Sequence, residues 1–190
     1  MSLHEIEKEY GEKIGVEWKA FPLRPEPEER YWNDHAAESW AEAEATGSGA
    51  HFVPWKPDVP MPATSIPALV AAKCAELQGK DAFARYHLAV LKAYFEEGRD
   101  IADWNVLVQI AAECGLDLES FIAALQSGEQ AKKVVADYQE AFERRITNIP
   151  LVVVSDGQNS YGVRGGKLVD GKPLTDQYRR LVEFLLASAE

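Results

Sequence analysis

The chain has 190 residues, 46% of them hydrophobic, with 31 acidic against 20 basic side chains and a formal net charge of −11. That is enough apolar material for one domain's core, and the negative balance argues against nucleic-acid and anionic-lipid partners. No apolar run approaches the roughly 20 residues that span a bilayer, and Met1-Ser2-Leu3-His4-Glu5 lacks the order of a signal peptide, so the expected location is cytoplasmic.

In chain order, Leu3 to Tyr10 reads as a short helix ended by Gly11. From Ile14 to Phe21, Val16, Trp18 and Ala20 alternate with Glu17 and Lys19, the pattern of a half-buried strand closing at Pro22. Pro22, Pro25 and Pro27 then open an irregular stretch carrying Tyr31, Trp32, Trp40, Phe52 and Trp55. Loop aromatics either bind a ligand or pin the loop to the domain, and pinning is the favoured reading. Within this stretch Glu38 to Ala45 are good helix formers, stopped at Gly47-Ser48-Gly49.

Thr64 and Ser65 cap a helix with Pro67 in its first turn, running to Gly79. A second helix carries Phe83, His87, Val90, Leu91 and Tyr94 on one face and stops at Gly98. A third spans about Asp103 to Cys114, and Asp117 caps a fourth. Ser127 and Gln130 have the spacing of a capping box for a fifth, whose expected buried stripe is Ala131, Val135, Tyr138 and Phe142. Pro150 then opens the valine-rich strand Leu151 to Val154, Asp156-Gly157-Gln158-Asn159 turns it, and Ser160 to Arg164 returns as a hairpin. Gly165-Gly166 leads to a last helix with Leu174, Tyr178, Leu181, Val182 and Leu185 inward.

Few residues here suggest chemistry by themselves. Cys74 and Cys114 are far apart, each within a helical pattern, and read as reduced, buried small hydrophobes. His4, His35, His51 and His87 share no ligand spacing, so neither metal nor cofactor is expected. His87 lies on an apolar stripe, where a hydrogen-bonded core role is the common one. The Ile149-Pro150 bond is the remaining candidate: a cis peptide there turns backbone groups outward toward a ligand, whereas a trans proline simply starts an edge strand.

The order of these elements, helix, strand, helical block, hairpin and helix, leads to a resemblance. Val16-Glu17-Trp18-Lys19-Ala20-Phe21-Pro22-Leu23-Arg24-Pro25 carries it first, then Ala71-Ala72-Lys73, Leu77-Gln78-Gly79-Lys80 and Ala93-Tyr94-Phe95. It continues through Ile110-Ala111-Ala112, Gly115-Leu116-Asp117 and Asn148-Ile149-Pro150. Together they resemble the DsbA-type thioredoxin-fold oxidoreductases, within them the FrnE-like branch. The resemblance implies an α/β, thioredoxin-like (DsbA-like) core with a large all-helical insertion, the core formed by residues 1–21 and 147–190 and the insertion by 22–146. It makes Pro150 the family's cis proline, with Asn148, Ile149 and Pro150 as the substrate-binding residues and a thiol or peptide as substrate.

The departure is the family's C-x-x-C, which is absent, the chain being read as starting inside the first helix. Thiol–disulfide exchange needs an accessible, low-pKa thiolate beside a resolving thiol, so no catalytic residue is assigned and the chain is expected to be inactive in dithiol exchange. The alternatives are a non-catalytic peptide-binding or chaperone-like module, and a glutathione-using relative of kappa-class transferases or 2-hydroxychromene-2-carboxylate isomerases. In those relatives a Trp, Gly, Asp and Arg signature follows the hairpin, where this chain has Tyr161-Gly162-Val163-Arg164-Gly165-Gly166. Without a strand between them, Ile14–Phe21 is expected to pair with Leu151–Val154 in a three-stranded sheet, or a second copy to supply the missing edge as a homodimer.

Overall fold

The computed structural model describes residues 2–45, 51–164 and 174–188. Capping side chains set several of its boundaries. Helix α1 (Ser2–Tyr10) tightens into a 3-10 turn at Gly11–Lys13, with Gly11 at φ 56. Helix α2 (Asp34–Glu44) starts earlier than helix propensity indicates, because Asn33 accepts the Ala36 N–H at 2.9 Å. Then follow α3 (Ile66–Glu76), α4 (Lys80–Phe95), α5 (Trp104–Glu113) and α6 (Leu118–Ser127). Asp103 caps α5, and Asp117 caps α6 by accepting the N–H groups of Glu119 and Ser120. The chain closes with α7 (Glu129–Glu143), β1 (Leu151–Ser155), β2 (Ser160–Arg164) and α8 (Leu174–Ser188). Mostly helical, with a small sheet, this is a thioredoxin-like fold of the DsbA-like kind with a helical insertion.

The chain divides into two compact units, Ala20–Glu140 and Met1–Lys19 with Ala141–Glu190. In the first, the alanine-rich face of α3 (Ala71, Ala72, Ala75) lets α4, α5 and α6 approach closely. Tyr86, Leu107, Ile110 and Phe121 are fully buried there, with the Tyr86 hydroxyl donating to the Leu107 carbonyl at 3.0 Å and its ring 5.3 Å from Phe121. Trp40 holds the irregular stretch down, its ring 4.8 Å from Trp32, 5.6 Å from Phe52 and 5.0 Å from Phe95. These aromatics form a satellite core, the pinning role expected of them.

In the second unit, Ile6, Val163, Tyr178 and Val182 form the core, joined by Ile14, Val152 and Val154. Arg179 ties α8 to α1, with Nη2 2.8 Å from Glu9 Oε2, and Glu9 holds the guanidinium protonated well above its ordinary range.

Several expectations are corrected. Ile14–Phe21 is not a strand: the burial alternation is present, with Ile14, Val16, Trp18 and Ala20 turned inward, yet no ladder forms and, among the described residues, β1 pairs with β2 alone. Alternation sets which side chains face inward, but a strand also needs a neighbour for its N–H and C=O groups. The Ala20 N–H goes instead to the Asp137 carboxylate. The three-stranded sheet is therefore absent among the described residues.

On α7 the buried positions are Gln130, Val134, Asp137 and Ala141, one residue out of step with the expected stripe, while Val135, Tyr138 and Phe142 are exposed. The pull comes from Asp137, whose Oδ2 lies 3.2 Å from the buried Lys73 ammonium. The capping box does not close either, since Ser127 Oγ accepts the Glu129 N–H and buried Gln130 Oε1 has no partner among the described residues. Cys114 is half-buried rather than buried. Gly47-Ser48-Gly49, Gly165-Gly166 and the Leu174 side chain lie outside the described residues.

Candidate substrate-binding loop

Helix α7 ends in a Schellman arrangement: Ile146 N–H donates to the Ala141 carbonyl at 2.8 Å and Arg145 N–H to the Phe142 carbonyl at 2.9 Å. The residue that must turn left-handed is Arg145, at φ 56, where a glycine normally stands. No residue in the sequence announced this turn. It delivers Thr147, Asn148, Ile149 and Pro150 as one exposed loop in front of β1, with Ile149 43% exposed and its bond to Pro150 cis. Asn148 Nδ2 donates to Thr147 Oγ1 at 3.3 Å, within the loop itself. Phe142, expected inside, is 79% exposed. The three residues named from the sequence are thus contiguous, accessible and polar at one end, apolar at the other.

The hairpin behind the loop is set by its turn. Asp156 Oδ1 accepts the N–H groups of Asn159 at 2.6 Å and Gln158 at 2.8 Å, and these bonds hold its carboxyl below the usual range. Gly157 takes φ 89, which other residues resist. Register places Val152 opposite Val163 and Val154 opposite Tyr161. Val152, Val154 and Val163 turn to the core, so period-2 alternation puts Leu151 and Val153 on the other face. There Gly162 adds no side chain, and β1's outer edge has no strand beside it among the described residues. An open edge next to an exposed apolar loop can take an extended polypeptide by backbone pairing.

The thiols lie elsewhere, in the other unit. Cys74 is 1% exposed, and burial pushes its pKa up to about 12. Cys114 donates weakly to the Arg85 carbonyl at 3.8 Å and is also raised, by burial. Neither is a stabilised thiolate, the opposite of what exchange chemistry requires. His87 stacks on Phe83, with ring centroids 5.3 Å apart, and burial lowers its pKa. Among the described residues no cluster of His, Cys, Asp and Glu has the form of a metal site, and no helix is long and apolar enough to cross a membrane.

Comparison with known proteins places this geometry in context. A thioredoxin family model matches residues 56–175. The ClpXP adapter protein SpxH of Shouchella clausii is 31% identical over 120 residues, 63% of this chain, but the chain spans only 39% of that relative's length. The uncharacterized protein YwbO of Bacillus subtilis is 29% identical over 180 residues, 90% of this chain and 86% of that one. Among solved structures, the cytosolic disulfide reductase DsbM from Pseudomonas aeruginosa with GSH superposes with a TM-score of 0.65 at 21% identity, covering 98% of this chain and 91% of that one.

Proposed function

The chain belongs to the thioredoxin family, and we propose that it is a DsbA-type, FrnE-like member that holds thiol or peptide substrates at Asn148, Ile149 and Pro150 without dithiol exchange through its own cysteines. The observation that carries this reading is the state of its two thiols. The low-pKa pair that exchange requires has no counterpart in a Cys74 shut from solvent at about 12 and a Cys114 also raised. The exposed loop and the open edge of β1 support the binding half. The likeness to DsbM, a cytosolic disulfide reductase, supports a cytoplasmic place of action.

Insulin reduction and refolding of scrambled ribonuclease test the redox half, with the Cys74→Ser, Cys114→Ser double variant as control. Equal rates for chain and control are expected; activity lost in the double variant would overturn the reading. For the binding half, a fluorescently labelled, reduced and alkylated peptide is titrated with the chain and with Ile149→Asp. A drop of about tenfold is expected from placing a charge where an apolar contact was desolvated.

A second reading is an adapter that delivers a protein partner without redox chemistry. It is favoured by the similarity to the ClpXP adapter protein SpxH of Shouchella clausii, 31% identical in the matched region. A homodimer formed by strand addition at β1 fits either reading, and light scattering at dilute concentration tests it.

A further inference from the structure

Arg30 lies in an extended stretch bridged to buried Met61, whose N–H donates to the Arg30 carbonyl at 2.8 Å. Its Nη2 donates to the Tyr94 hydroxyl at 3.3 Å, while its Nε is buried with no acceptor among the described residues. A buried N–H without a partner calls for one, and a guanidinium calls for an anion. Although the chain carries 31 acidic residues, none forms an ion pair with Arg30 among the described residues. Glu29, its neighbour, cannot, because consecutive residues of an extended backbone face opposite ways and Glu29 is occupied by the Tyr31 hydroxyl at 2.7 Å.

The Tyr94 side of this arrangement is equally fixed. Trp55, 4% exposed, donates Nε1–H to the Tyr94 carbonyl at 3.2 Å. The Tyr94 ring stands 5.6 Å from Trp40, 5.7 Å from Trp55 and 4.7 Å from Phe95. A phenol that accepts from Arg30 keeps its own proton free to donate. From this juxtaposition we propose that Arg30 and the Tyr94 hydroxyl form a recognition point for a carboxylate. A carboxylate offers two coplanar oxygens, one for the guanidinium and one for the phenol, and the aromatic surroundings strengthen both bonds by excluding water. A single guanidinium in a chain of net charge −11 favours such a monoanion over a phosphate dianion. Arg30 and Tyr94 belong to the unit Ala20–Glu140, and the loop at Asn148–Pro150 to the other.

The test follows by NMR, at constant ionic strength, the Arg30 Nε–H resonance of the 15N-labelled full chain and the Trp55 indole Nε1–H resonance, which stands beside Tyr94 and remains when residue 30 is changed. Sodium acetate is the first probe. An N-acetyl dipeptide with a free C-terminal carboxylate and an N-acetyl aspartate amide then separate a chain terminus from an acidic side chain as the source. A saturable downfield shift of the Arg30 Nε–H with acetate is expected, with a saturable shift at Trp55 that disappears in Arg30→Gln, and binding weakened roughly threefold to tenfold in Tyr94→Phe, which keeps the ring packing. Arg30→Lys restores only part of the affinity, having no planar fork. A shift that never saturates and matches that of chloride would overturn the proposal, as would tighter binding of phosphate than of acetate.

Discussion

Asp137 Oδ2 accepts the backbone N–H of Ala20 at 2.8 Å across 117 residues of chain, and the same oxygen lies 3.2 Å from Lys73 Nζ. Both ionised side chains are more than nine-tenths buried, so the carboxylate holds three segments at once: the extended residues before Pro22, α3 and α7. Asp137→Ala leaves the Lys73 ammonium with Glu76 alone, 3.3 Å away, and orphans an amide, and a loss of about 3 kcal/mol, the low end for breaking a buried pair, is expected in urea denaturation. Asp137→Asn keeps an acceptor for Ala20 and loses less. Equal losses for the two would mean that charge pairing, not the amide bond, is what matters.

Arg145 at φ 56 carries a cost that glycine does not. A left-handed L residue costs about 1–2 kcal/mol, against roughly 0.5–1 kcal/mol of extra chain entropy for glycine in the unfolded state. Arg145→Gly is therefore expected to stabilise by about 0.5–1 kcal/mol in thermal or urea unfolding, while Arg145→Val destabilises.

The half-buried His87 and the buried Cys74 are expected to set opposite limbs of the pH profile. Burial lowers the His87 pKa, so its contribution is full above the ordinary 6.5 and is lost as pH falls below it, where the unfolded chain takes up the proton first. Cys74 is the mirror case: raised from 9.0 to about 12, it contributes fully below pH 9 and loses that contribution between 9 and 12 as the unfolded thiol ionises. Tm measured against pH is expected to flatten on the acid side in His87→Asn and on the alkaline side in Cys74→Ala.

Packing outweighs hydrogen bonding in the helical unit. Tyr86→Phe removes one hydroxyl that donates to Leu107 and is expected to cost about 1 kcal/mol. Phe121→Ala, beside the same ring, opens a cavity and is expected to cost about 3–5 kcal/mol. Guanidinium denaturation of the two variants checks the ratio.

The sequence by itself determined the elements whose signals are local. Asp117 capped the helix it was expected to cap, and the hairpin turned where Asp156 and Gly157 said it would, because side chain and backbone there lie within a few residues of each other. The candidate loop at Asn148-Ile149-Pro150 was also legible, through proline and the resemblance it anchors. Tertiary structure alone decided the rest. Whether Ile14–Phe21 becomes a strand depends on a neighbour that periodicity cannot supply, and which face of α7 turns inward was settled by Lys73, more than sixty residues away in the chain. That Arg30 meets Tyr94 and, among the described residues, no carboxylate is likewise a fact of long-range packing. Local signals survive in one dimension because their partners are adjacent; pairing, burial of charge and the open edge of β1 are set by contacts between distant residues, which only the folded chain brings together.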